Sequence, residues 1–194
     1  MTGYEAAELS LIDHLFHWCF QHWLTILTGA LLLYSGLPWL VPLLLANGYT
    51  DAGNLLFALY GPLCHQSPSS SYFWLGHQVA YCHRDTAIYT TLLAMSLLYA
   101  LLRPVIGSRP LAWRWFLLFL VPLILDGGTH MLGSLIPTLN LRDPNDAVGS
   151  LNWLLRTVTG MLAAVGFVLA IYPRLDRDLR GIGIPDEFDQ PPYR

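Results

Sequence analysis

WLTILTGALLLYSGLPWLVPLLLA, residues Trp23 to Ala46, contains no charged side chain. A bilayer core of roughly 30 Å needs about 20 mostly apolar residues per helix, and this run supplies them. Four more segments compete for the same reading: about 47–63, 79–102, 111–135 and 151–172. The segment 47–63 is short, and it spans only if it borrows residues from about Asn47 onward; otherwise it is re-entrant. The third begins with His83, Arg84 and Asp85, and the fifth contains Arg156. The expected fold class is therefore all-α, a polytopic membrane bundle over residues 23–173 with about five transmembrane helices. The alternating segments of about ten residues that a lipid-facing barrel needs do not recur.

Composition agrees. Of 194 residues, 54% are hydrophobic and 12% charged, with mean hydropathy +0.45. Soluble domains carry a charged fraction of about 25%. Lysine is absent, all ten basic residues are arginine, and the net charge is −3. No basic surface exists to hold a polyanion, so nucleic acid is excluded as a partner. Disordered chains and ordinary cytosolic enzymes are excluded with it. The bilayer is the first partner expected.

Arginine placement orients the bundle. Arg103, Arg109 and Arg114 lie between the third and fourth spans, and Arg174, Arg177 and Arg180 follow the fifth. Both groups are expected to be cytoplasmic, in a bacterial inner membrane. The polar tail 174–194, ending IPDEFDQPPYR, then reads as a cytoplasmic extension. Residues 1–22 carry Leu9, Ile12, Leu15, Phe16 and Cys19 near helical spacing, as an interfacial amphipathic helix does. They lack the positive n-region of a cleavable signal peptide. If the second segment spans, they lie outside.

The chemistry concentrates in LCHQSPSSSYFWLGHQVAYCHRDTAIY, Leu63 to Tyr89. Parity puts this stretch on the outer face with Asp126 and His130. His14, His17, Cys19 and His22 join it if the N-terminus is outside. Ionisable side chains within spans are costly and usually face the bundle interior. Asp126 and His130 are spaced i, i+4, and Cys82 and Asp85 i, i+3, so each pair shares a helix face. Arg84 points elsewhere, with Asp126 as its candidate partner.

Zinc takes thiolate, imidazole and carboxylate ligands in tetrahedral sites. The preferred set is Cys64, Cys82 and Asp85, completed by His65 or His130. Competing readings stand beside it. Cys64 and Cys82 would form a disulfide on an oxidising face. Arg84 and Asp85 would be a structural ion pair, and Asp126 a helix cap. Arg156 would pair with Asp146 or a lipid phosphate, or line the interior site.

The pattern of Cys64, His65, Gln66 and Pro68, then Ser71, Gly76, Gln78, Cys82, Arg84, Ile88 and Tyr89, resembles the DUF2085 family of predicted membrane proteins. Pro122, Asp126, Gly127 and Gly133 extend it, as do Asn152, Leu155, Arg156, Thr159 and Gly160. The second cysteine of the family's C-x-R-C step is Asp85 here, which implies oxygen in place of one sulfur and a harder or more open metal site. His130 stands where the family has glutamine. The resemblance implies a shared site and supplies no reaction.

Three functions follow as expectations. The first is a metal-binding membrane protein, whose metal with an open position would activate water, with Asp126 or His130 as base and Arg84 as a further catalytic candidate. The second is thiol–disulfide or quinone-linked redox chemistry through Cys64 and Cys82. The third is an accessory subunit of a larger respiratory or photosynthetic complex. There His22 and His83 would be candidate ligands for haem or another tetrapyrrole.

Overall fold

The structure, a computed structural model, describes residues 11–106, 109–136, 138 and 145–180. In chain order these form α1 (Leu11–Gln21), α2 (Trp23–Ala46), α3 (Thr50–Tyr60), β1 (Ser71–Trp74), β2 (His77–Cys82), α4 (His83–Ile106), α5 (Trp113–Leu135) and α6 (Leu151–Arg180). Among the described residues, four stretches are long and apolar enough to cross a bilayer: Trp23–Ala46, His83–Val105, Trp113–Gly133 and Leu151–Leu179. The protein is an integral membrane helical bundle, and the expectation of five spans is corrected to four.

The segment 47–63 is the one that fails. Its helix α3 has 11 residues, about 16 Å at 1.5 Å per residue, half of a bilayer core. Gly48, at φ 83°, turns the chain after α2, and α3 doubles back along it. Leu45 fills the room beside Gly53, where an added Cβ would sit 2.6 Å from it.

Pro38 governs the local geometry. It has no amide to close on the Tyr34 carbonyl four residues earlier. That carbonyl instead accepts hydrogen bonds from the Tyr60 and Tyr81 hydroxyls, each at 3.1 Å. Pro38, Val41 and Pro42 are buried where β2 lies against α2. Thus a proline inside a span fastens both α3 and a strand to it.

The strands form an antiparallel hairpin with Phe73 opposite Gln78 and Trp74 opposite His77. Leu75 (φ 52°) and Gly76 (φ 79°) make the two-residue turn, whose positive φ values match strand twist. Residues 79–82 therefore belong to β2, and the third span starts at His83 instead of 79.

Contacts along the helices set their directions. Trp23 meets Tyr172 edge-on at 5.5 Å, and Tyr172 meets Tyr99 at 5.6 Å. Further along, the Ser35 hydroxyl donates to the Tyr89 carbonyl at 3.2 Å. So α2 runs antiparallel to α4. Gly160 abuts Arg84 and Ala87, so α6 runs parallel to α4. Phe119 abuts Gly166 and Asp126 meets Arg84, so α5 runs opposite to both.

One end of the bundle therefore gathers the start of α2 and the ends of α4 and α6. Arg103 pairs there with the fully buried Asp176. Arg174 stacks over Trp113 at 4.1 Å and donates to the Leu111 carbonyl at 3.0 Å. Helix α1 packs against α6 and the start of α2. The hairpin and the starts of α4 and α6 occupy the opposite end. With α3 not spanning, His14, His17, Cys19 and His22 lie at the arginine-rich end, away from the hairpin. Residues 1–10 of the expected interfacial helix, and the tail from 181, lie outside the described residues.

Candidate functional site

The hairpin brings Cys64 to Cys82. Gln66, at φ 48°, donates from its side-chain amide to the Phe57 carbonyl at 2.7 Å and the Ala80 carbonyl at 3.2 Å. Gln78 donates to the Gln66 carbonyl at 2.7 Å. These two glutamines fix the chain around Cys64 against β2. The Cys82 amide then donates to Cys64 Sγ at 3.2 Å, and the Cys82 thiol donates to Asp85 Oδ2 at 3.2 Å. One ligand atom from each of Cys64, Cys82 and Asp85 lies within 4.8 Å of the others. The two sulfurs are separate thiols.

Cys64 is buried among Tyr60, Val79 and Tyr81, and Cys82 is half-buried. Their acidities diverge. The hydrogen bond from Cys64 to Cys82 and burial push the Cys64 thiol up. The same hydrogen bond pulls the Cys82 thiol down, against burial and the Asp85 charge. Burial raises the phenols of Tyr60 and Tyr81, which stay neutral beside the pair.

A tetrahedral zinc with bonds of about 2.3 Å to sulfur places its ligand atoms roughly 3.7 Å apart. Cys82 Sγ and Asp85 Oδ2, at 3.2 Å, already lie inside that spacing, and no pair in the group exceeds 4.8 Å, so the widest separation needs to close by at most about 1 Å. Two sulfurs and one carboxylate suit a borderline-soft divalent ion. Among the described residues no fourth Cys, His, Asp or Glu joins the group.

The first turn of α4 has a second face. Cys82 and Asp85 point toward α2 and the hairpin, whereas His83 and Arg84 point toward α5 and α6. Arg84 Nη2 meets Asp126 Oδ2 at 2.5 Å, and the Thr159 hydroxyl donates to the same oxygen at 3.3 Å. Gly127 leaves room for this guanidinium, 3.4 Å from where its Cβ would be. Closer to the hairpin end, Arg156 Nη2 donates to Asp146 Oδ2 at 3.0 Å and meets His130 Nε2 at 3.2 Å.

Each expected site residue thus has a place. Cys64, Cys82 and Asp85 come together. His65 is exposed and lies outside the group. His130 sits against Arg156, and Asp126 is committed to Arg84 and Thr159. His83 is buried at the hairpin end, with Tyr72 edge-on at 4.5 Å. His22 is exposed, 4.7 Å from the Trp18 ring at the other end of the bundle, so His22 and His83 are not brought together. The positioning roles of Gln66, Gln78 and Tyr34 were not read from the sequence. For the glutamines, their places within the quoted motif were the available signal.

No solved structure matches the chain. An uncharacterized protein of Methanocaldococcus jannaschii is 33% identical over 119 residues, which cover 61% of this chain and 67% of that protein. A family described as predicted membrane proteins matches residues 64–170, from the first site cysteine into the last span. The chain belongs to the DUF2085 family.

Proposed function

We propose that this integral membrane protein holds a divalent metal ion, zinc by preference, through Cys64, Cys82 and Asp85. The convergence of these three ligand atoms within 4.8 Å carries the reading. Arginine collected at the far end supports a cytoplasmic position for that end by the positive-inside rule, with the metal site then on the outer side. A fourth ligand from solvent or substrate completes the tetrahedron. A zinc ion with such a position polarises a bound water.

Elemental analysis of protein purified in detergent tests this. About one zinc per chain is expected. Cys64→Ser and Cys82→Ser each lose it while keeping the helical circular-dichroism signal. Folded wild-type protein that stays metal-free after incubation with zinc refutes the reading.

The sulfur geometry favours a second reading, thiol–disulfide exchange. The acidified Cys82 would attack a partner's disulfide, and Cys64 would then displace the partner's second thiolate. The pair loses two electrons and two protons, and the partner disulfide gains both electrons and, as its two released thiolates are protonated, both protons. Mass spectrometry of alkylated protein after mixing with a disulfide distinguishes a bridged pair from a metal-protected one.

A further inference from the structure

The face of α4 turned away from the cysteines leads into a seam of buried polar groups whose hydrogen bonding is incomplete. His83 is 1% exposed, and among the described residues neither ring nitrogen has a hydrogen-bond partner. The Ser71 backbone approaches it without bonding geometry, and Arg156 and Asp146 lie within electrostatic reach of the ring. The Arg156 side chain is 6% exposed. Its Nη2 is bonded, but its Nε is buried and has no partner. Arg84 repeats the pattern: Nη2 holds Asp126, and the buried Nε has no partner. Asp146 binds through Oδ2 and leaves a buried Oδ1 without one among the described residues.

Buried groups left without partners are rare and unfavourable. Among the described residues, two guanidinium Nε–H donors, one carboxylate oxygen and an imidazole, which offers one N–H and one acceptor nitrogen when neutral, are left over here. A guanidinium offers Nε–H and an Nη–H as a planar fork that fits two oxygens of an oxyanion. The α4 and α6 helices also direct their N-termini to this end, where anions are favoured. Two arginines are offset by Asp126 and Asp146, so selection rests on hydrogen-bond pattern more than on net charge. The pattern calls for a ligand with several acceptor oxygens and one O–H donor.

We propose that this seam binds a phosphate monoester or inorganic phosphate. Its oxygens accept from Arg156, Arg84 and His83, and its P–OH donates to Asp146 Oδ1. Arg84, 22% exposed, and Asp146, 12% exposed, give access from the hairpin end. The ligand is free phosphate or the monoester headgroup of a lipid. The site lies across α4 from the cysteines and does not depend on a metal there.

Thermal unfolding of the full-length protein in neutral detergent provides the test, with inorganic phosphate in one arm and phosphatidic acid in mixed micelles in another. A saturable rise of about 5 °C is expected at a hundredfold excess over half-saturation. A response to inorganic phosphate identifies free phosphate as sufficient; a response to phosphatidic acid alone identifies the headgroup. Arg156→Lys keeps the charge but removes the fork, so its half-saturation should move at least about tenfold higher. His83→Gln is expected to weaken the response in parallel, and it decides the matter if the lysine variant does not fold. The proposal is overturned by no saturable rise with either probe, which leaves the seam to water. It is equally overturned by a rise that both variants retain, or by phosphatidylglycerol, a diester, acting as strongly as phosphatidic acid.

Discussion

The Tyr81 hydroxyl donates to the Tyr34 carbonyl at 3.1 Å, a bond available because Pro38 leaves that carbonyl without a helical amide. Tyr60 shares the same acceptor at 3.1 Å. Tyr81 lies beside Cys82 in β2, so a proline in one span helps to position the cysteine group.

Removing either hydroxyl leaves the carbonyl one partner. Tyr60→Phe and Tyr81→Phe are each expected to lower stability by about 1 kcal/mol. The double variant orphans the carbonyl and should lose more than the sum of the two, by a further ~1 kcal/mol. Chemical unfolding in detergent, read as a double-mutant cycle, measures the excess. An additive double variant would mean that the carbonyl finds another partner.

Cysteine alkylation should report the acidity order. Cys82 has its thiol pulled down by the hydrogen bond from Cys64, so its thiolate persists to lower pH than in a free cysteine, whose midpoint is about 8.5. Cys64 is pushed up by that bond and by burial, and so gives up its proton after Cys82. On chelator-treated protein, iodoacetamide should therefore modify Cys82 first, with a rate that rises as pH climbs through a midpoint below that of free cysteine. The Asp85 charge opposes the Cys82 thiolate, so Asp85→Asn should move the midpoint lower still. A midpoint that moves up in that variant contradicts the assignment.

Much of this arrangement was legible from residue order. The four spans follow from long apolar runs, the pairing of Cys82 with Asp85 from i, i+3 spacing, and Asp126 as a candidate partner of Arg84 from the need of an intramembrane arginine for a carboxylate. The fate of 47–63 was not, because hydropathy alone does not register that Gly48 reverses the chain after α2. Parity of the first segments depended on that point, and with it the end of the bundle at which the α1 histidines lie. The hairpin was also hidden. Val79, Ala80 and Tyr81 are apolar in succession and read as the start of a span, while the Leu75–Gly76 turn has a leucine at a position of positive φ. Burial of His83 depends on α5, α6 and Tyr72 closing over it, which no local pattern encodes.

The helix directions make a topological prediction. Cys19 lies at the end that holds Arg103 and Arg174, and Trp74, 44% exposed at the hairpin, at the other. If arginine marks the cytoplasm, a membrane-impermeant maleimide applied to intact cells should label a Trp74→Cys variant and leave Cys19 unmodified. Permeabilised cells should label both. Labelling of both in intact cells would place the two on one side, which four spans in this order forbid.

Asp126 is the most consequential single carboxylate. Its side chain is 2% exposed and meets Arg84 Nη2 at 2.5 Å, with Thr159 on the same oxygen. Truncation to alanine leaves a guanidinium in the bundle without its counter-charge, which costs about 3–5 kcal/mol when the cation is fully buried. Arg84 is partly exposed, at 22%, so about 2–3 kcal/mol is expected. Asp126→Asn keeps the shape and a hydrogen-bond acceptor but removes the charge, and should fall between wild type and alanine. Replacing both partners by apolar residues, Arg84→Met with Asp126→Leu, removes the unpaired charge altogether and should recover part of the loss. Unfolding midpoints of wild type and the three variants in detergent give the order directly. If the apolar double variant is the least stable, Arg84 and Asp126 contribute through more than mutual neutralisation, and the phosphate seam they border becomes the natural place to seek the difference.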